Sequence, residues 1–261
     1  MRILSFILFY AFLFFNPVSL RAFEGEDSLQ KAFRDATIDT VKVEILITLS
    51  QEAMNSDFKK MELYAEQAVK LAQKVGYRQG IAQANRYLGL AYYFQGAYGE
   101  AVDSWQQGLN MFDSIGDMAN VARLYSNIGA VYYNQSDDVK ALEYYIQSQR
   151  IAEEIQDTAR LMAVLNNIGA IYGKKSVTYD KAIEYDLKAL KLGEVLKDNL
   201  TIGTLCANIG EIYMNMDQDT LALKYFIKSL EAHKDTENEP VALRFIGQVY
   251  MRSGDYKIAI Q

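Results

Sequence analysis

An all-α solenoid of paired helices is the fold that this sequence predicts, on three observations. A glycine recurs at steps of about forty residues, an alanine follows each glycine by twelve or thirteen residues, and the 261-residue chain holds only two prolines. A fixed period indicates stacked repeats that cover one another's apolar faces, and few prolines suit long helices. The glycines are Gly89, Gly129, Gly169, Gly210 and Gly247, and the alanines are Ala101, Ala141, Ala182, Ala222 and Ala259.

Residues 1–22 are predicted to be a secretory signal peptide. Arg2 precedes an uncharged apolar run from Ile3 to Phe15, and small residues follow Pro17. This order is typical of a leader that is cleaved on export, whereas a membrane span needs about 20 apolar residues. We therefore expect an exported chain, periplasmic or secreted, or the extracytoplasmic part of a membrane protein. The alternative is a leader that is kept as an anchor.

Residues 23–38 are predicted to be a short lead-in, and residues 39–261 an array of about six units, the last one incomplete. The first unit keeps the helical pattern but has Leu49 and Met61 in place of the glycine and the alanine. The last unit reaches Gln261 early in its second helix, which leaves its apolar stripe without full cover. We expect a longer chain here, or else a partner or a second copy that associates through the open C-terminal repeat.

The third unit shows how the pattern makes a helix pair. Leu124, Ile128 and Tyr132 recur at helical steps and form one apolar stripe on a first helix. Gly129 lies in that stripe, although glycine costs a helix about 1 kcal/mol relative to alanine. We therefore expect the paired second helix to approach closely at Gly129, with the small side chain of Ala141 meeting it.

Short polar residues mark the turns and the helix starts. Ser136, Asp137 and Asp138 are predicted to form the turn inside the third unit and to cap its second helix. An aspartate also closes each unit, where its carboxylate can accept hydrogen bonds from free amides of the next first helix. These aspartates are Asp117, Asp157, Asp198 and Asp235.

The repeated motif resembles the tetratricopeptide repeat, in the bacterial exported form with units of about forty residues. It consists of Leu or Ile before the glycine, Tyr three residues after it, then the alanine and an aromatic residue. The clearest copies are Leu88, Gly89, Tyr92, Ala101 and Trp105; Ile128, Gly129, Tyr132, Ala141 and Tyr145; and Ile209, Gly210, Tyr213, Ala222 and Phe226. The fourth unit departs from it, with one extra residue and Asp186 at the aromatic position. The resemblance implies a right-handed α-solenoid.

The resemblance also implies a concave groove, lined by the first helices, that accepts a peptide or a helix of a partner protein. The family's groove positions fall in units two to six of this chain. They are Arg86, Leu90, Tyr93, Phe94, Asn127, Tyr133, Asn134, Asn166, Asn167, Lys174, Asn208, Glu211, Asn215 and Arg244.

Two kinds of groove chemistry can be weighed from these residues. Asn127, Asn167 and Asn208 form a ladder whose amides can both donate to and accept from an extended backbone; the alternative is that they belong to the scaffold. One family subtype grips a C-terminal carboxylate with basic residues from consecutive units. Here the matching positions hold Arg86 and Arg244 with uncharged residues between them, so the isolated charges do not support that chemistry.

Composition and motifs argue against other function classes. The net charge of −6 and the absence of a basic stripe do not favour nucleic acid. The single histidine, His233, is expected to be a solvated surface residue, and the single cysteine, Cys206, a small buried one. No catalytic constellation, metal motif or cofactor-binding loop is present, so we expect neither an enzyme nor a cofactor protein.

Two functional hypotheses follow. The first is a self-contained exported scaffold that binds a protein or peptide in the groove. The second comes from the resemblance, since exported arrays of this kind often precede a signalling module in bacteria. In that case the chain is the sensory input region of a longer protein, such as a histidine kinase, a nucleotide cyclase or a helix-turn-helix regulator.

Overall fold

The computed structural model describes residues 25–255 and Ala259, so the predicted leader lies outside the described residues. The described part is an all-α solenoid of twelve helices joined by short turns, as the sequence predicts. The helices are α1 Glu26–Asp35, α2 Asp39–Ala53, α3 Phe58–Val75, α4 Arg78–Phe94, α5 Tyr98–Ser114, α6 Met118–Asn134, α7 Asp138–Glu154, α8 Thr158–Tyr172, α9 Tyr179–Leu196, α10 Asn199–Asn215, α11 Asp219–Ala232 and α12 Glu239–Ser253.

Even-numbered helices from α2 onward are the first helices of the units, and each packs on the helix that follows it. Every second helix also packs on the first helix of the next unit, which builds one continuous stack. Several first helices contact each other directly, as α2 does α4, α6 does α8 and α10 does α12, and contacts between neighbouring second helices are weaker. The first helices therefore line the inner side of the array.

Within the predicted lead-in, α1 packs on α2 through the buried side chain of Leu29. A polar cluster ties α1 to α3, because the carboxylate of Glu26 pairs with Lys60 Nζ at 2.7 Å and accepts a hydrogen bond from Tyr64 Oη at 2.6 Å. Lys60 and Tyr64 hold the pKa of Glu26 below its ordinary value. The helix α1 thus covers the start of the array.

The repeated glycines confirm the predicted close approach of the two helices. The group that meets the glycine is an aromatic ring, however, and not the small side chain of the alanine. A Cβ atom added at Gly129 would lie 2.8 Å from the Tyr145 ring, and one at Gly210 would lie 2.6 Å from the Phe226 ring. Gly89 faces Trp105 in the same way. The prediction for Ala141 was wrong because Tyr145, one turn further along α7, reaches across to the glycine.

The predicted helix caps are confirmed at four of five positions. Asp117, Asp157 and Asp198 accept hydrogen bonds of 2.9–3.1 Å from backbone amides in the first turns of α6, α8 and α10. Asp137 does the same for α7 at 3.1 Å. Asp235 was wrongly predicted as a cap. It has a φ of 61°, its amide donates to Glu239 of α12, and that helix begins four residues later, next to Pro240.

The expectation for His233 was wrong and that for Cys206 is confirmed. His233 is buried, with its Nε2 atom 3.1 Å from the carbonyl oxygen of Leu200 and its ring against Gly203. The ring fills the space that this glycine leaves on α10. Cys206 is buried in the same helix, and burial raises the pKa of its thiol to about 11.

Candidate functional site

The fourteen predicted groove residues lie on the first helices α4, α6, α8, α10 and α12, or directly after α8, and none of them is fully buried. Six are exposed, namely Phe94, Asn134, Lys174, Glu211, Asn215 and Arg244. Eight are half-buried, namely Arg86, Leu90, Tyr93, Asn127, Tyr133, Asn166, Asn167 and Asn208. The structure therefore gathers these residues on the inner side of the array.

Side chains from successive units touch one another along this surface. Asn134 Nδ2 donates a hydrogen bond of 2.8 Å to the Tyr93 hydroxyl. One unit further on, Lys174 Nζ lies 3.9 Å from the centroid of the Tyr133 ring and pairs with Asp138 at 2.5 Å. Tyr93 and Tyr133 hold equivalent positions in their units, so the same link is made first by an amide and then by an ammonium group.

The asparagine ladder is partly tied into the scaffold. Asn208 Nδ2 donates a hydrogen bond of 3.2 Å to Asn166 Oδ1, across the gap between α10 and α8. This contact supports the scaffold interpretation at Asn208. The interpretation of Asn127 and Asn167 as peptide contacts stays a prediction.

Three arginines on this surface escaped the sequence analysis as a group. Arg86, Arg123 and Arg160 are half-buried on α4, α6 and α8, and they lie three, six and nine residues before the glycines of their units. Each step is about one helical turn, so the three form a diagonal across neighbouring helices. We call them the arginine diagonal. The sequence analysis compared equivalent positions only, where Arg86 and Arg244 stay separated by uncharged residues, and the arginine diagonal falls outside that set.

The arginine diagonal is poorly solvated and poorly paired. Burial lowers the pKa of Arg86 and Arg160, and the charge of Arg123 lowers both further. The Nε atoms of Arg123 and Arg160 are buried without a hydrogen-bond partner. Arg86 stacks on Tyr87, with its guanidinium carbon 4.1 Å from the ring centroid, and donates to Gln83. A signal was present in the sequence as a 37-residue step from Arg86 to Arg123 and from Arg123 to Arg160.

The fourth unit holds a cavity of about 190 Å³ between α8, α9 and α10. Asp186 lies in its wall and is 1% exposed, and its Oδ1 atom has no hydrogen-bond partner. Burial raises the pKa of this carboxyl to about 7. The predicted groove residues Asn208, Glu211 and Asn215 also line the cavity, together with Gly169, Ala170, Gly173 and Ile212.

The described part of the chain lacks two other kinds of feature. Residues 25–255 include no group of three or more His, Cys, Asp or Glu side chains placed to hold a metal ion. Over the same stretch, no helix combines the length and the apolar character that a membrane span requires.

Comparison with known proteins agrees with this architecture. Models of the tetratricopeptide repeat family match residues 120–194 and residues 205–240. These two segments contain most of the third, fourth and fifth units. No curated protein matches the sequence.

Solved structures share the fold at low sequence identity. A signal transduction ATPase with numerous domains and a tetratricopeptide repeat sensor, from Pyrococcus horikoshii, is 18% identical with a TM-score of 0.76; the match covers 89% of this chain but only 37% of that one. BtubC (BKLC) from P. vanneervenii is 18% identical with a TM-score of 0.68, over 78% of this chain and 87% of that one. NprR in complex with its cognate peptide NprX is 15% identical with a TM-score of 0.61, over 93% and 70%.

Proposed function

Because this chain is a tetratricopeptide repeat protein, we propose that it is a non-enzymatic scaffold that binds an acidic protein segment or peptide along the inner side of its array. The observation that carries the proposal is the arginine diagonal on α4, α6 and α8. Two of its three guanidinium groups have a buried Nε–H without an acceptor. A carboxylate from a partner would supply that acceptor.

The energetics favour an anionic partner at this place. A buried donor without a partner costs about 1–3 kcal/mol, and the mutual repulsion of Arg123 with Arg86 and with Arg160 adds to that cost. A guanidinium group binds a carboxylate through two parallel N–H···O bonds, which are stronger than neutral ones. The overall charge of −6 opposes an acidic partner at long range, but salt screens that repulsion over about 8–10 Å.

The structural neighbours support a binding role. NprR was crystallised with its cognate peptide, and the ATPase from Pyrococcus horikoshii carries its repeats as a sensor. The second of these favours one further candidate function, in which the present array is the sensory input region of a longer signalling protein. In both cases we propose an exported location, on the strength of the leader pattern in residues 1–22.

Binding of a short glutamate-rich peptide, followed by fluorescence anisotropy, tests the proposed function. We expect the double variant Arg123→Gln and Arg160→Gln to weaken binding at least about tenfold, which corresponds to 1.4 kcal/mol, and we expect added salt to weaken binding to the wild type. Arg150→Gln is the matched control, because Arg150 is exposed on the second helix α7. Equal affinity of the double variant and the control would overturn the proposal.

A further inference from the structure

We propose that the cavity beside Asp186 receives a cationic side chain, an ammonium or guanidinium group, from the segment that the array binds. The inference rests on the proposed function, because the cavity is lined by residues of α8 and α10 that face the same inner surface as the arginine diagonal. The inference adds an acidic contact, the cavity, to the basic contact made by the arginine diagonal. The cavity would bind a positively charged group of the partner, whereas the arginine diagonal would bind negatively charged ones.

The cavity exists because the fourth unit lacks two rings. In the second unit, Tyr93 packs on Trp105 with their ring centroids 5.8 Å apart, and Tyr133 and Tyr145 hold the equivalent places in the third unit. The fourth unit has Gly173 and Asp186 instead. Both residues line the cavity, so the space is the volume that two aromatic side chains occupy elsewhere in the array.

The size of the cavity selects a side chain rather than a whole segment. A water molecule takes up about 30 Å³ of liquid, and the cavity of about 190 Å³ has room for the end of one lysine or arginine side chain. Its polar side chains are the buried Asp186, the half-buried Asn208, and the exposed Glu211 and Asn215. Because Glu211 and Asn215 are exposed, a side chain from the inner surface has a way in beside them.

The chemistry of the wall selects a positive charge. The Oδ1 atom of Asp186 is buried with no donor within reach, and a buried carboxylate is stable only when it is paired or hydrogen-bonded. No neighbouring cation contributes to the pKa of Asp186, which burial alone raises. Glu211 adds a second carboxylate at the edge. An ammonium or guanidinium group would supply the missing donors and offset part of the negative charge of the two acids.

The two contacts together describe the partner. The arginine diagonal runs over units two to four, and the Asp186 cavity lies between units four and five. A segment that follows the inner surface would place its acidic residues on the first contact and a lysine or arginine on the second. Charge therefore sets the direction in which the segment lies, since the reversed segment would meet like charges at both places.

The test uses small probes, so that it does not depend on the partner. Binding of n-butylguanidinium to the chain is followed by NMR titration, with the uncharged analogue n-butylurea as the matched probe. We expect chemical-shift changes at α8 and α10 with n-butylguanidinium, at least a tenfold loss of affinity in Asp186→Asn, and no binding in Asp186→Phe, which restores the ring of the other units. Equal binding of both probes, or unchanged binding to Asp186→Asn, would overturn the inference.

Further measurements separate this inference from the proposed function. Arg123→Gln should leave the affinity for n-butylguanidinium unchanged while it weakens binding of the glutamate-rich peptide. Asp186→Asn should leave that peptide's affinity unchanged, because the peptide has no basic residue. If Arg123→Gln binds the glutamate-rich peptide as tightly as the wild type while the results for Asp186→Asn hold, the proposed function is overturned and the cavity remains a cation site. If Asp186→Asn binds n-butylguanidinium as tightly as the wild type while the result for Arg123→Gln holds, the inference about the cavity is overturned and the proposed function remains.

Discussion

The third and fourth units share one backbone plan and differ in what fills the space between their helices. In the third unit Gly129 faces the buried ring of Tyr145, and in the fourth Gly169 faces the carboxylate of Asp186. The helix pairs α6–α7 and α8–α9 nevertheless pack in the same way. The comparison teaches that the repeat can lose its central ring in one unit because the neighbouring units still cover its outer faces.

Replacing Tyr145 of the third unit with aspartate, the residue at the equivalent position 186 of the fourth unit, should have the largest effect on stability. Tyr145→Asp removes a ring that is 2% exposed and buries a carboxylate in its place, so we expect a loss of about 3–5 kcal/mol in the free energy of unfolding. Urea denaturation followed by circular dichroism measures it. Tyr145→Phe keeps the ring and should lose far less. A loss below about 1 kcal/mol for Tyr145→Asp would mean that the ring is dispensable in every unit.

The Asp186 carboxyl should make stability depend on pH in the fourth unit. Its pKa in the folded chain is about 7, above the ordinary value of 3.8, so its stabilising contribution is complete below about pH 4 and is lost as pH rises through 7. The full loss is on the order of 4 kcal/mol. Glu211 is the other acid at the cavity.

The pH effect is isolated by comparison with Asp186→Asn. Urea denaturation at pH 5 and at pH 8 should show that the variant gains stability relative to the wild type as pH rises. Urea is the suitable denaturant, because guanidinium would itself be a ligand of the cavity. Groups with lowered pKa, such as Glu26 and Asp198, act in the opposite direction at acid pH but cancel between the two proteins. A difference that is the same at both pH values would contradict the prediction.

Gly129 in the third unit and Gly173 in the fourth, which are not equivalent positions, should differ in their tolerance of a methyl group. In Gly129→Ala the new Cβ would meet the Tyr145 ring at 2.8 Å, and we expect a net loss of about 1–2 kcal/mol after the gain in helix propensity. In Gly173→Ala the nearest neighbour would be 3.4 Å away, which is an ordinary contact. That variant should keep its stability within about 0.5 kcal/mol. Thermal unfolding of both proteins side by side makes the comparison.

The smallest expected effect concerns the helix caps. Asp157→Ala removes the acceptor for the Arg160 amide and should cost about 1 kcal/mol. Asp235→Ala is the matched control, because Asp235 closes its unit in the sequence but does not cap α12. Its own φ of 61° favours residues that tolerate the left-handed region, so an asparagine at 235 gives a second control. Equal losses for Asp157→Ala and Asp235→Asn would contradict the assignment.

The sequence predicted the features that recur at the same position in successive units. The glycine and alanine period indicated the helix pairs, and the aspartates indicated four of the five caps, because these features depend on local backbone chemistry. The sequence analysis also singled out Asp186 as a departure from the motif. It did not predict the cavity, because that space needs Gly173 to coincide with Asp186, and Gly173 follows the end of α8 whereas Asp186 lies on α9.

Features that do not recur at the same position in every unit were not predicted. The arginine diagonal shifts by one turn in each unit, so no column of equivalent positions contains it. His233 was placed at the surface from its position near a helix end, whereas the glycine at 203 on the preceding first helix makes room for the ring. Both cases depend on how neighbouring helices pack, which a single helix pattern does not contain.

The burial of Cys206 makes the reactivity of its thiol a measure of how fast α10 separates from the neighbouring helices. The thiol is the only one in the chain. It lies on α10 in a cluster of buried residues from α8, α9 and α10, and its raised pKa and burial keep it from reacting while the helices stay together. A dye that reacts only with exposed thiolates would therefore be consumed at the rate at which α10 separates from its neighbours. Any molecule that bridges α8 and α10 should slow that reaction, so occupancy can be timed without labelling the molecule itself.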